Sequence, residues 1–439
     1  MKRGKRQRPP LTRNNWWHAP VASRPVDAEV RIPGSKSLTN RMLVLAALSS
    51  GISRIRGALS ARDTDLMVDG LRKLGASIDV EGDTLTISPI ELSKPARIHC
   101  GLAGTVMRFL PAVASLGTVP ITFTADEQAQ SRPITPLLDA LRSLDVTVTH
   151  KSDMPFPVTV QGPVRTTDIV HLDSSASSQF VTAILLIAPL LGAPGRTVTI
   201  ILDGDTPSRP HIDMTVSTLR ARGIRVDTPN ERTFTVSCGT ISPLDITIEP
   251  DLSNAGPFLA AALVTGGRVS IPDWPAETTQ AGNEWISIVR DMGGIVSTRG
   301  SLTVSAGEQI RGIKQDFSQV GELVPTVTAL AALATTPSEL TGIGHLRGHE
   351  TDRLSALANE LRTLGIDVIE GPDYLRIDPT NGWRERLPKR IDLRSYHDHR
   401  MATFGAIIGL SVPGVRVENI ATTSKTLPDF PTMWEAMLA

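Results

Sequence analysis

The sequence predicts an α/β protein of two domains, each built from three repeated strand–helix–strand–helix–strand units with one buried helix per unit. Length, two alternating kinds of helix and the regular spacing of helix stops lead to that fold class. At 439 residues the chain is too long for one ordinary core and suits two domains of roughly 200 residues each. The first kind of helix is amphipathic, ends at a Leu-Gly-like stop and runs into short alternating strands, as at 65–75 followed by 76–80 and at 352–365 followed by 366–369. Related copies stop at Leu144, Gly223 and Gly293, and a sixth spans 430–438. The stops recur at intervals of roughly 70 to 80 residues, longer than solenoid repeats. Gly at such a stop is a C-cap, and the period-two pattern after it reads as strand.

The second kind of helix is apolar on all sides and must be buried all round. Six fit this description: 38–48, 104–116, 177–191, 253–264, 322–333 and 399–410. Each opens on small or polar capping residues. Several such helices with their N-termini at one interdomain cleft would offer unpaired N–H groups and partial positive charge, which favours phosphate above all.

Composition narrows the function. Forty-five basic and 45 acidic residues balance, which gives no electrostatic case for nucleic acid or an anionic membrane. Cys100 and Cys238 are far apart and belong to no CxxC or Cys/His cluster, so they read as buried structural thiols, with no metal site indicated. Lys2, Arg3, Lys5, Arg6 and Arg8 lead into Pro9 and Pro10 with no apolar stretch after them. Residues 1–20 are therefore expected to form a solvated, flexible tail rather than a targeting signal. The most apolar run, 180–191, contains Pro189 and is shorter than the ~20 residues of a membrane span. A cytoplasmic location follows as an expectation.

Chemistry concentrates at the starts of the apolar helices. Pro33-Gly34-Ser35-Lys36-Ser37 leads to Arg41, Gly101-Leu102-Ala103-Gly104-Thr105 to Arg108, and Ser174-Ser175-Ala176-Ser177-Ser178 to Gln179. Glu322 opens the fifth, and Tyr396-His397-Asp398-His399-Arg400 the sixth. Arg132, Arg353 and Lys425 add loop cations. Taken singly, a Ser at a helix start is a cap and an Arg is a solvated surface residue. Gly34-Ser35-Lys36-Ser37 also lacks the upstream Gly of a P-loop. Recurrence in both halves of the chain argues for a cleft that binds several anions.

The stretches PGSKSLTNR, LAGTVMRF, SRPITPLLDAL, SSASSQF, EPDLSNAGPFLAAA, HETDRL, DHRMA and SKTLPDF occur in order between residues 33 and 430. Together they resemble the 5-enolpyruvylshikimate-3-phosphate synthase family. The resemblance implies two threefold inverse α/β barrels of enolpyruvyl transferase type, with no metal and no organic cofactor. The division would be 1–34 with 251–439 as one domain and 35–250 as the other, with the active site between them. The implied reaction transfers the enolpyruvyl group of phosphoenolpyruvate to the 5-hydroxyl of shikimate 3-phosphate through a tetrahedral intermediate. The small-molecule substrates would be the only partners of an expected monomer.

Carried over by position, Lys36, Gly104, Arg132, Gln179, Arg353, Arg400 and Lys425 would surround phosphoenolpyruvate. Lys36, Ser37, Arg41, Ser177, Ser178, Gln179, Ser208, Glu322 and His349 would contact shikimate 3-phosphate. Lys36, Glu322 and Glu350 would be catalytic, with Glu322 accepting the hydroxyl proton. Retention of Gly104 beside Ala103 implies sensitivity to glyphosate. Departures from the family pattern fall at Leu102 and Phe109, and at His211, His345 and His349, which replace a common Tyr, Asn and Lys. His349 is accordingly expected to make a phosphate contact that weakens near pH 8.

Two rival readings are the sister transferase acting on UDP-N-acetylglucosamine and a non-catalytic anion- or RNA-end-binding protein. The first usually carries a Cys in the loop corresponding to 125–132, where this chain has none. The second gains nothing from setting Glu322 and Glu350 beside bound phosphates.

Overall fold

The computed structural model describes residues 15–151 and 154–439. The cations on which the tail expectation rests, Lys2 to Arg8, lie outside the described residues. Residues 15–20 lie within them, and there the expectation of a flexible tail is corrected. Trp16–His18 is a strand, antiparallel to Val415–Glu418 with Trp17 opposite Val417. The cause lies some 400 residues away in sequence. No hairpin follows Val415–Glu418 to cover its free edge, and the N-terminal strand takes that place. The Arg416 guanidinium lies 5.2 Å from the Trp16 ring and adds a cation–π contact.

Helices of the two expected kinds alternate along the chain. In order they are α1 (Lys36–Ala47), α2 (Arg62–Lys73), α3 (Gly104–Ala114), α4 (Thr135–Ser143), α5 (Ser178–Ile187) and α6 (Arg209–Arg220). They continue as α7 (Leu252–Thr265), α8 (Trp285–Asp291), α9 (Val324–Ala332), α10 (Arg353–Thr363), α11 (His399–Gly409) and α12 (Phe430–Leu438). Odd-numbered helices are the buried ones: every residue of α1 from Leu38 on is buried, and so is all of α3. Even-numbered helices hide one face, as α2 does with Met67, Gly70 and Leu71. One expected boundary moves. Glu322 sits in a 3₁₀ turn, Gly321–Leu323, ahead of α9, whose first turn holds Pro325. Pro is tolerated there because the first-turn N–H groups have no intrahelical acceptor.

Helices α1, α3 and α5 pack on one another inside one hydrophobic core, and α7, α9 and α11 inside a second. Among the described residues, five four-stranded sheets and one three-stranded sheet surround them. The sheet beside α3 shows the repeating pattern. Ala96–His99 runs parallel to Ile121–Thr124, which pairs antiparallel with Val158–Gln161, itself paired with Thr147–His150. A helix covers each crossover between the parallel strands, as such connections require.

The chain passes from one core to the other at two places that touch. Asp27–Glu29 joins the sheet of Arg268–Pro272 before the chain enters α1, and Ile246–Thr247 joins Ser53–Arg56 before it enters α7. At the crossing Gly34 bridges Pro250 in antiparallel fashion. Ser35 N–H donates to Glu249 O at 2.8 Å and Asp251 N–H to Pro33 O at 2.9 Å. Only Gly fits at 34, because a Cβ there would collide with the carbonyl oxygen of Gly57. A main-chain atom cannot step aside as a side-chain tip can. Gly34→Ala should therefore cost roughly 1–3 kcal/mol by overpacking and lower the Tm by several degrees in a thermal melt. An unchanged Tm would refute the close-packed crossing.

Candidate active site

One cavity lies where the two cores meet, and the N-termini of buried helices open onto it. Several of these starts are capped by side chains of their own sequence. Ser35 accepts from Leu38 N–H at the start of α1, Ser177 from Gln179 N–H at α5, and Asp251 from Asn254 N–H at α7. Asp251 does more than cap. Its second carboxylate oxygen accepts Lys36 N–H at 3.2 Å, tying the start of α1 to that of α7 across the crossing.

Residues expected from the sequence converge on this cavity. Helix α1 brings Lys36, Ser37 and Arg41, α5 and its cap bring Ser177, Ser178 and Gln179, and Ser208 stands before α6. Arg132, Glu322, His349, Glu350, Arg353 and Arg400 complete the lining. Gly104 and Lys425 do not line it but stand directly behind. A Cβ on Gly104 would lie 2.8 Å from Arg132 Nη2, 2.9 Å from Arg108 Nη1 and 3.1 Å from Gln179 Oε1. Lys425 Nζ donates to Glu350 Oε1 at 2.5 Å.

The cations divide into two groups. Arg353, 2% exposed, donates to Asp398 at 2.7 Å and to Glu350 at 2.8 Å. Arg41 spends its guanidinium on Thr215, Thr182 and the carbonyls of Ser37 and His211. Those two arginines line the cavity already paired with protein groups. Arg400, by contrast, makes no side-chain hydrogen bond among the described residues, and Arg132 makes only one, to Leu102 O at 2.7 Å. These two hold donors ready for an anion.

Charge states follow from the contacts. Burial raises the Glu350 carboxyl, but Lys425, Arg353 and Arg132 outweigh it and hold the group well below the usual carboxylate range. At Glu322 burial is likewise overcome, by His211 3.2 Å away and by Arg400. Burial lowers Lys36, with Asp63 opposing and Lys425 and Arg400 assisting, so its ammonium is a better acid than a solvated lysine. Burial pushes the Cys100 thiol up to about 12, in keeping with an inert core residue, and Cys238 is buried too.

His349 corrects an expectation. Its Nδ1 lies 2.9 Å from Arg353 Nη1, and a guanidinium only donates, so the ring is a neutral acceptor. Burial and Arg353 hold it well below its ordinary value. The phosphate contact expected to weaken near pH 8 thus gives way to a neutral ring whose Nε2–H does not titrate there. His345 packs edge-on to it with ring centroids 5.8 Å apart.

Sequence reading assigned no role to several residues of the site. Asp63, 2% exposed, accepts from Lys36 Nζ at 3.4 Å and lies 3.9 Å from Lys425 Nζ. In sequence it looks like any first-turn acid of an outer helix. Asp398 holds Arg353, and His399 lines the cavity with both ring nitrogens lacking hydrogen-bond partners among the described residues. The signal for these two was the acid set before each cation, in Asp352-Arg353 and Asp398-His399-Arg400. Arg108, singled out in the sequence as a helix-start cation without an assigned partner, is bonded to Gln179 at 2.7 Å. Among the described residues no cluster of His, Cys, Asp or Glu could hold a metal ion, and no helix is long and apolar enough to cross a membrane.

A family model for EPSP synthase (3-phosphoshikimate 1-carboxyvinyltransferase) matches residues 21–434. A 3-phosphoshikimate 1-carboxyvinyltransferase of Kocuria rhizophila is 49% identical over 436 residues, an alignment covering 96% of each chain. The chain belongs to the EPSP synthase family. It is a transferase of the shikimate pathway, and the reaction is enolpyruvyl transfer from phosphoenolpyruvate to shikimate 3-phosphate. The two rival readings are not favoured. EPSP synthase from Acinetobacter baumannii has the same fold at a TM-score of 0.77, with 23% identity and 96% of this chain and 97% of that one covered. The enolpyruvyl transferase NikO from Streptomyces tendae shares it at 0.74, with 19% identity and 96% of each covered.

The Glu350–Lys425 contact has a consequence for stability. A carboxyl depressed in the folded state contributes stability above its unfolded pKa of about 4.3, and loses it as pH falls through the folded value. Lys425→Met removes the nearest cation, so Glu350 should protonate at a higher pH. The variant's Tm should be lower at pH 7, and its acid decline should begin earlier than in the parent. Parallel Tm–pH curves would contradict this.

Proposed function

We propose that the chain works as two domains, 1–34 with 251–439 and 35–250, which bind phosphoenolpyruvate and shikimate 3-phosphate in the cavity between them. The observation that carries this reading is the composition of that single cavity. Cations from both cores, capped helix starts and the carboxylates of Glu322 and Glu350 share it, and a site that only bound phosphates would gain nothing from those two carboxylates.

In this reading Arg132 and Arg400, with Lys36, Gln179, Arg353 and Lys425 around them, hold the phosphate and carboxylate of phosphoenolpyruvate. Ser37, Ser177, Ser178, Ser208 and His349 take shikimate 3-phosphate, Arg41 fixing the wall behind them. The enol ether carbon of phosphoenolpyruvate is a poor electrophile. Attack on C2 therefore requires a proton delivered to C3 and a base for the acceptor hydroxyl. Lys36, made more acidic by burial, and Glu350 share the proton traffic at C3 and at the departing phosphate. Glu322 supplies the negative charge that draws off the hydroxyl proton. The enzyme acts as a cytoplasmic monomer on these small molecules, without nucleic acid, membrane or cofactor.

Phosphate release with phosphoenolpyruvate should require shikimate 3-phosphate and fail with UDP-N-acetylglucosamine; the opposite preference would overturn the reading. Glu322→Ala should lose most of kcat while still binding shikimate 3-phosphate, and near-parent turnover would remove Glu322 from the mechanism. Gly104→Ala would push against three side-chain tips rather than backbone. It should leave the Tm unchanged while raising KM for phosphoenolpyruvate and weakening inhibition by glyphosate. A falling Tm with unchanged KM would place Gly104 in the scaffold alone.

A further inference from the structure

His211 stands in the first turn of α6 and lines the cavity. Its main chain is fixed from several directions. The N–H donates to Ser208 O at 3.1 Å, and the carbonyl accepts from Arg41 Nη2 and from Thr215 Oγ1, each at 2.9 Å. Ring atom Nε2 lies 3.2 Å from Glu322 Oε1, which also accepts from Ser253 Oγ at 3.3 Å. A carboxylate only accepts, so Nε2 carries the proton and the lone pair of the neutral ring is on Nδ1. Nδ1 has no hydrogen-bond partner among the described residues.

An imidazole with one nitrogen held by a carboxylate and the other open to a substrate cavity is the arrangement of a general base and its orienting acid. We infer that His211 receives the proton of the acceptor hydroxyl, with Glu322 as the positioning residue behind it. The inference rests on the enolpyruvyl-transfer reading of the site and refines the part Glu322 plays in it. Glu322 alone is poorly suited to the task. Its carboxylate already faces Arg400 and accepts from Ser253 Oγ, and a carboxylate so held is a weaker base than an imidazole. Imidazole is the side chain whose ordinary titration lies nearest neutral pH.

As the C–O bond to C2 of phosphoenolpyruvate forms, the O–H bond breaks and the proton passes to Nδ1. The resulting imidazolium is paired with Glu322, and C3 takes its own proton from the Lys36 side. His211 returns its proton to solvent when product leaves. The other charged groups around the pair are Arg400 on α11, Arg353 on α10, Arg41 on α1 and His345. Arg209 and Asp213, on His211's own helix, pair with each other at 2.9 Å. Because His211 comes from one core and Glu322 from the other, the dyad exists only when the two are together.

The test compares parent, His211→Gln and Glu322→Ala in kcat, KM and calorimetric binding of shikimate 3-phosphate, with kcat followed against pH. His211→Gln should bind shikimate 3-phosphate like the parent, lose on the order of 10²–10⁴-fold in kcat, and lose the parent's acid limb. If it keeps both kcat and the acid limb while Glu322→Ala loses turnover, Glu322 is the base itself and the inference fails with the site reading intact. If both variants turn over like the parent, the site reading falls as well. A parent kcat that is flat across about pH 5–8 overturns the inference whether or not the variants fold.

Discussion

A chain of alternating charges runs through the cleft and holds its parts in place. Lys36 meets Asp63 at 3.4 Å, Asp63 lies 3.9 Å from Lys425, and Lys425 meets Glu350 at 2.5 Å. Glu350 then meets Arg353 at 2.8 Å, and Arg353 meets Asp398 at 2.7 Å. Three cations and three anions alternate, and most are nearly inaccessible to water. An isolated buried charge costs several kcal/mol, and one partner removed from a buried pair costs about 3–5 kcal/mol. Alternation offsets that cost by giving every charge an opposite neighbour. It also spans both cores, since Lys36 and Asp63 belong to one and the remaining four to the other. The site's geometry and the juxtaposition of the two cores therefore depend on the same contacts.

That neutral chain explains how the cavity can attract anions and still be stable empty. If every cation were unpaired, several like charges would face one another at close range. Instead the paired cations form the wall, and Arg132 and Arg400 keep donors free. Capped helix starts add partial positive charge without adding ions. Substrate phosphates and a carboxylate would complete a charge balance that the protein alone leaves slightly positive at these two positions.

Much of the fold was legible because burial leaves a periodic trace. Apolar helices without a polar face could be found and bounded to within a few residues, and the Leu-Gly stops marked their outer partners. The strand at Trp16–His18 left no such trace. Its reason for existing is an open sheet edge at Val415–Glu418, and no local pattern records a vacancy at the far end of the chain. Much of the site was legible for a similar reason, since polar residues recur where apolar helices begin. Asp63 was not, because an acid in the first turn of an outer helix is ordinary. Only the approach of two lysines from elsewhere makes it part of the site.

The two histidines His349 and His211 show where sequence reading stops. Each is an imidazole beside a charged side chain in one cavity, and in sequence both read as departures from the family pattern. The difference is the charge of the neighbour. Arg353 donates to Nδ1 of His349 and keeps that ring neutral, so it can serve as a fixed donor but not take a proton readily. Glu322 Oε1 lies 3.2 Å from Nε2 of His211, and because a carboxylate only accepts, Nε2 is the donor and Nδ1 is left open to receive a proton. Residue type fixed neither outcome. A guanidinium in one place and a carboxylate in the other assign opposite chemistry to the same side chain.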